Sequence, residues 1–242
     1  MTRAVSIGAV CIDLDGTLLD TIPDLAAAAN AMLADLALAP LPVQRIRQFV
    51  GKGAEVLIER TLRAAGSAAA GDPAHETHER AHEKAHEKAR TFFYANYREL
   101  NGTRAKVYDG VKQGLDGLRE LGLRLACVTN KPEEFVGPLL QRFGLQDHFD
   151  FAIGGDTLAF KKPHPGQLLE ACRRWSLAPA NVVAVGDSVN DADAARAAGM
   201  RVYLVPYGYN EGNSIHGIDV DGIVSSLSEL PSLIRSQNAH LS

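Results

Sequence analysis

Five short apolar runs in this chain end abruptly in polar residues, and that pattern limits the possible folds more than any other feature. Residues 5–12 stop at Asp13, Asp15 and Gly16, and residues 123–128 lead into Thr129 and Asn130. Residues 149–153 lead into Gly154, Gly155 and Asp156, residues 181–185 into Gly186 and Asp187, and residues 201–205 end at Pro206. None of the runs alternates apolar with polar, as a strand with one wet face would, so each reads as a strand buried on both faces. Helical patterns separate them. Residues 111–121 carry Val111, Leu115, Leu118 and Leu121 on one side, and residues 135–143 and 167–175 read likewise. Residues 191–198 are alanine-rich and end at Gly199, a natural C-cap. Strands alternating with helices imply an α/β core with a parallel, Rossmann-like sheet. In such sheets a ligand site lies beyond the carboxyl ends of the strands, where the polar residues that end these runs would gather.

Residues 21–103 interrupt the alternation and show no strand signal. Residues 23–38, with Leu25, Ala29, Leu33 and Leu36 on one face, read as a helix, as do 43–50, 54–65 and 75–100. Residues 66–73 form a small-residue linker, and Asn101-Gly102 ends the last helix. The expected organisation is an α/β core from residues 1–20 and 104–242, with an all-helical domain, 21–103, inserted after the first strand. His75, His78, His82 and His86 recur at helical spacings of three and four in the inserted segment. Histidines at i and i+4 can share a metal ion, but so short a biased tract reads first as a solvated helix face.

The composition narrows the class. The chain has 242 residues, 46% hydrophobic and 22% charged, which are ordinary globular values. A net charge of −4 does not suggest nucleic-acid binding, and a small anionic substrate would need local cations. The longest apolar stretch, residues 4–12, is too short to span a membrane. Asp13 follows it at once, so it reads as a buried strand and not a signal-peptide core. Cys11, Cys127 and Cys172 all sit in apolar surroundings, which fits a reducing, cytoplasmic setting.

Four segments carry the chemistry. In Asp13-Leu14-Asp15-Gly16-Thr17, two carboxylates follow a buried strand, and their repulsion calls for a hard cation with oxygen ligands. In Gly186-Asp187-Ser188-Val189-Asn190-Asp191, a second strand ends in a carboxylate. Asp191 also suits N-terminal capping of the next helix. Lys161-Lys162-Pro163-His164-Pro165 adds cations on a rigid loop, and Thr129-Asn130-Lys131 adds a hydroxyl and backbone N–H groups able to hold a phosphate. Together they supply the equipment for phosphoryl transfer through an aspartyl-phosphate.

These segments, in this order, resemble the four motifs of the haloacid dehalogenase (HAD) superfamily, and the insertion is similar to its helical cap of the C1 type. More narrowly, the chain resembles bacterial phosphoglycolate phosphatases. The similar segments are residues 49–57, Tyr108-Asp109-Gly110-Val111, Val128-Thr129-Asn130-Lys131 and Tyr207-Gly208-Tyr209-Asn210. Asp109 stands where that family usually has proline, and Lys52 where relatives often carry a small polar residue. The resemblance implies that Asp13 is the nucleophile and Asp15 the general acid and base. It implies that Thr129, with the backbone of Asn130, holds the phosphoryl oxygens and that Lys162 binds both Asp13 and the phosphoryl group. It implies a Mg²⁺ ion held by Asp13, Asp187 and the backbone carbonyl of Asp15, with Asp191 behind them. Gly51, Lys52 and Gly53 would meet the rest of the substrate, Lys52 by pairing with its carboxylate. The expected protein is a cytoplasmic Mg²⁺-dependent phosphatase, monomeric or homodimeric, that converts 2-phosphoglycolate to glycolate and phosphate and uses neither nucleic acid nor membrane. A phosphatase acting on another small phosphate ester or on pyrophosphate is the alternative.

Overall fold

The structure, a computed structural model, describes residues 6–66 and 76–239. In chain order its elements begin with β1 (Ala9–Ile12), β2 (Leu19–Asp20), α1 (Ile22–Asp35), α2 (Val43–Arg47), α3 (Ala54–Ala64) and α4 (Glu76–Leu100). There follow β3 (Lys106–Val107), α5 (Val111–Glu120), β4 (Arg124–Val128), α6 (Glu133–Arg142), β5 (Phe151–Ile153) and α7 (Gly166–Trp175). The last are β6 (Val182–Gly186), α8 (Val189–Ala198), β7 (Arg201–Leu204), β8 (Gly222–Ile223) and α9 (Leu230–Ala239). Two compact units result: Met1–Asp20 with Val107–Ser242, and Thr21–Lys106.

The first unit is built on a six-stranded parallel sheet in the order β5-β4-β1-β6-β7-β8. The five strands expected from the apolar runs are all present. β8 adds a sixth that is too short to register as a periodic pattern. β1 lies at the centre, with Ala9 opposite Arg124 on one side and Val182 on the other. The period-2 alternation of a strand sends neighbouring side chains to opposite faces. Val10, Ile12, Leu125, Cys127, Val183 and Val185 therefore join Leu115, Leu118 and Leu139 of α5 and α6 in one core. The smaller Ala9, Cys11, Ala126 and Ala184 join Leu168, Ala171, Ala194 and Ala195 of α7 and α8 in the other. Small residues on both partners let the alanine-rich α8 lie close to the sheet, which carries its N-terminus to the strand ends. All three cysteines are buried and unpaired, and burial pushes the Cys11 and Cys127 thiols well above their ordinary range.

The second unit is helical. Met32, Leu33, Ile58, Leu62, Phe93 and Tyr97 form its interior, with Phe93 stacked on Tyr97 at a centroid separation of 5.5 Å. Asp24 is fully buried. Its carboxylate accepts hydrogen bonds from the N–H groups of Gly102 (2.8 Å), Arg104 (2.7 Å) and Ala105 (3.2 Å), charge-assisted contacts that compensate its burial. The helix expected over residues 43–50 stops at Arg47. The chain then turns through Gly51 and Gly53, whose φ angles of 123° and 88° need glycine. The linker expected over 66–73 falls almost wholly outside the described residues.

Candidate active site

The Asp13 N–H donates to Val185 O at 2.9 Å, and the Thr129 N–H to Ile153 O at 3.0 Å. Because Ile12 is level with Cys127, Asp13 and Thr129 leave the sheet within one residue of each other, at its carboxyl edge. Four expected site residues converge there. Lys162 Nζ lies 2.8 Å from Asp13 Oδ1, 2.6 Å from Asp191 Oδ1 and 2.8 Å from the carbonyl of Val128. Asp13, Asp187 and Asp191 each place a carboxylate oxygen within 4.8 Å of the others. The Lys162 side chain is only 4% exposed, and Asp191 5%. Asp191 serves two purposes: Oδ1 faces Lys162, while Oδ2 completes a capping box at the start of α8 by accepting from the Ser188 hydroxyl at 2.6 Å and N–H at 3.2 Å.

Burial governs the electrostatics. It pushes the Asp13 carboxyl up to about 6, against the opposing pull of Lys162 and with the help of the Asp191 charge. Burial, then Asp191 and Asp13, raise Asp187 well above the carboxylate range, although the Tyr209 N–H opposes this. Burial alone would depress the Lys162 ammonium, but Asp13 and Asp191 outweigh it and hold Lys162 above its ordinary value. Lys162 thus meets two of the three buried carboxylates, Asp13 and Asp191. An all-oxygen donor set, with carboxylate oxygens of Asp13, Asp187 and Asp191 within 4.8 Å of one another, and an excess of buried negative charge together fit a hard divalent cation.

The remaining expected residues divide. The Asp15 carboxylate meets Lys131, whose Nζ lies 3.1 Å from Oδ1 and 3.3 Å from Oδ2. Thr129 Oγ1 accepts from the Lys131 N–H at 3.2 Å, which leaves its own hydroxyl proton to be donated. The side chain of Asn130 acts as a clamp on Lys162, donating to its carbonyl at 2.8 Å and accepting from its N–H at 2.9 Å. Lys161 is only half-buried. Gly51, Lys52 and Gly53 lie in the helical unit between α2 and α3. Of the four histidines, His75 and the side chains of His78 and His82 fall outside the described residues.

Several positioning residues carry little signal in the sequence. Gln167 is fully buried and ties three loops together: Nε2 donates to Thr129 O at 2.9 Å and Gly154 O at 2.7 Å, and Oε1 accepts from the Lys162 N–H at 3.2 Å. Asp187 Oδ2 accepts from the Tyr209 N–H. A Cβ at Gly16 or Gly208 would come within 2.2 Å of that oxygen, so two glycines let their loops close on Asp187. The Tyr209 hydroxyl in turn donates to Asp20 Oδ1 at 2.8 Å. The short motif around Tyr209 was visible, but its contact with Asp187 was not.

The parallel sheet and its edge of buried carboxylates and lysines define an enzyme of the Rossmann-like α/β class. The chain belongs to the haloacid dehalogenase-like hydrolase family, whose model matches residues 7–199. It is 48% identical over 232 residues to the phosphoglycolate phosphatase of Nitrosospira multiformis, covering 96% of this chain and 97% of the relative. It is 42% identical over 223 residues to the phosphoglycolate phosphatase of Thiobacillus denitrificans, covering 92% and 93%. The crystal structure of a predicted phosphoglycolate phosphatase from Haemophilus somnus superposes with a TM-score of 0.86 at 32% identity, covering 96% of this chain and 99% of that one. Among the described residues, no helix is long and apolar enough to cross a membrane.

The raised carboxyls set a pH dependence. A carboxyl whose folded pKa lies above its unfolded value of 3.8 costs stability once it ionises, so stability grows as pH falls through the folded value. With chelator present, Tm is expected to rise between about pH 7.5 and about pH 5.5. Added Mg²⁺ should raise Tm most at the higher pH, where the ligand carboxylates are ionised, and little at the lower. Thermal melts across that range check both signs. A metal-free Tm that drops as the pH is lowered over that range would contradict the assignment.

Proposed function

We propose that this enzyme is a Mg²⁺-dependent phosphatase that hydrolyses 2-phosphoglycolate to glycolate and phosphate. The observation that carries the chemistry is the buried grouping of Asp13, Asp187 and Asp191 around Lys162, with Asp15 two residues beyond Asp13. The substrate rests on the nearly full-length similarity to relatives named phosphoglycolate phosphatase.

Asp13 is the nucleophile. Its carboxylate attacks phosphorus, the ester P–O bond breaks, and the phosphoryl group becomes attached to Asp13. Asp15 gives a proton to the departing alkoxide, forming the glycolate hydroxyl, and then takes a proton from the water that attacks the aspartyl-phosphate. That second attack breaks the bond to Asp13 and releases phosphate. Lys162 orients Asp13 and balances the charge of the phosphoryl oxygens, and the Thr129 hydroxyl with the Asn130 N–H donates to them. Asp13, Asp187 and the backbone carbonyl of Asp15 would hold Mg²⁺. Asp191 has both oxygens engaged by Lys162 and Ser188 and supports the site from behind. The ion supplies charge neutralisation between nucleophile and phosphate. Residues 21–103 serve as the cap, and the Lys52 ammonium pairs with the substrate carboxylate.

The test is phosphate release from a panel of phosphate monoesters and pyrophosphate, with and without Mg²⁺. The expected result is a clear kcat/KM preference for 2-phosphoglycolate that EDTA abolishes. Lys52→Ala should reduce that preference over a neutral phosphate ester by about tenfold or more, the worth of one charged contact. Mg²⁺-dependent release from other esters but not from 2-phosphoglycolate would overturn the substrate and keep the chemistry.

A further inference from the structure

Two buried lysines contact three of the four carboxylates of this site. Lys162 serves Asp13 and Asp191, and its three near neighbours, two carboxylate oxygens and the Val128 carbonyl, match the three protons of an ammonium. Lys131 takes Asp15, touching both of its oxygens. The Lys131 side chain is 2% exposed and that of Asp15 is 15% exposed, so water cannot readily replace the contact. The lysine is also fixed from behind. Its N–H donates to Thr129 Oγ1 at 3.2 Å, its carbonyl accepts from the Gly155 N–H at 2.7 Å, and Pro132 follows it at the start of α6. A Cβ on Gly155 would lie 2.1 Å from the Asn130 carbonyl, so the loop has little room to shift.

We propose that Lys131 is a positioning residue for Asp15: it fixes the orientation of the carboxyl group that exchanges a proton with the leaving alcohol. The idea rests on the role given to Asp15 above. A carboxylate three residues past the end of β1, in the loop that follows, can rotate about its side-chain bonds unless something grips it. A donor touching both oxygens fixes its side-chain torsions together, and proton transfer is sensitive to such placement. Lys162 cannot take over, because its protons already face other acceptors.

Leaving-group dependence separates this role from a merely structural one. Expulsion of an alkoxide needs the proton from Asp15, whereas a p-nitrophenolate leaves without it. kcat/KM reports the steps up to alcohol release and is blind to the later hydrolysis of the aspartyl-phosphate. The experiment measures kcat/KM for 2-phosphoglycolate, ethyl phosphate and p-nitrophenyl phosphate in the full-length Mg²⁺-loaded enzyme. Enzyme concentrations are chosen so that the unaltered protein gives a measurable rate on each. Lys131→Met is expected to lower both alkyl esters by about 10- to 100-fold and the aryl ester by no more than about threefold. Lys131→Arg, which can grip a carboxylate through two donors, should recover part of the loss. In an Asp15→Asn background, Lys131→Met should cost the alkyl esters nothing further.

Equal losses on all three esters, loss on 2-phosphoglycolate alone, or full additivity with Asp15→Asn would each overturn the proposal. The second of these would make Lys131 a reader of the substrate carboxylate. Should Lys131→Met not fold, Lys131→Gln carries the same comparison. If Asp15→Asn itself shows no selectivity for alkyl esters, the role of Asp15 fails first. If Asp15→Asn is selective and the Lys131 variants are not, only the present proposal fails.

Discussion

Asp13→Asn is expected to abolish turnover, with kcat falling by about 10⁴-fold or more, while the protein melts at the same temperature or higher. The two halves of this result come from one residue. Asparagine has the shape of aspartate but cannot carry the phosphoryl group, so the covalent route is closed. The Asp13 carboxyl, pushed up to about 6 by burial, is held ionised near neutral pH at a cost to folding. A neutral amide removes that cost and the repulsion from Asp191 and Asp187. It gives up one ion pair, but Lys162 keeps Asp191 at 2.6 Å. Activity and circular-dichroism melts on the same preparation check both parts. Loss of activity together with a lower Tm would point to a structural role for Asp13.

Lys162→Met should cause the second large effect, and here activity and stability fall together. The methionine fills the same volume but leaves Asp13 and Asp191 buried with no cation between them. Removing one partner of a buried pair costs about 3–5 kcal/mol. The Lys162 ammonium is held above its ordinary value, so its stabilising contribution is present throughout the neutral range and is lost only at strongly alkaline pH. The pH dependence of the variant therefore comes from the carboxyls, which ionise at greater cost once the lysine is gone. Its Tm should recover as pH falls towards about 5, more steeply than in the unaltered enzyme, and Mg²⁺ should restore part of it near neutrality. Melts with and without Mg²⁺ at several pH values measure this. A variant as stable as the parent at neutral pH would mean that Lys162 does not neutralise the cluster.

Much of this site could be read in the chain itself. Unbroken apolar runs located the five longer core strands, because a strand buried on both faces needs apolar residues without alternation. The switch to Asp13, Thr129 and Asp187 marked where each run leaves the sheet. Asp191 reads in the sequence both as a helix cap and as a candidate site residue; one of its oxygens completes the cap and the other meets Lys162. What the pattern could not supply is illustrated by Asn130, expected to contribute its backbone to a phosphate. Its side chain is committed to both backbone groups of Lys162, a partner 32 positions away.

Hydrophobic periodicity is a local property. By itself the sequence determined the parallel α/β core, the interruption of that core by helices, and the strand ends at which charged residues must sit. Only the tertiary structure decided which of those charges meet. Lys131 finds Asp15 across 116 positions, Gln167 gathers the loops of Thr129, Gly154 and Lys162, and Tyr209 closes on Asp187 where Gly16 and Gly208 leave room. Such pairings depend on strand order and loop approach, and they arise only when the strands take their places beside one another.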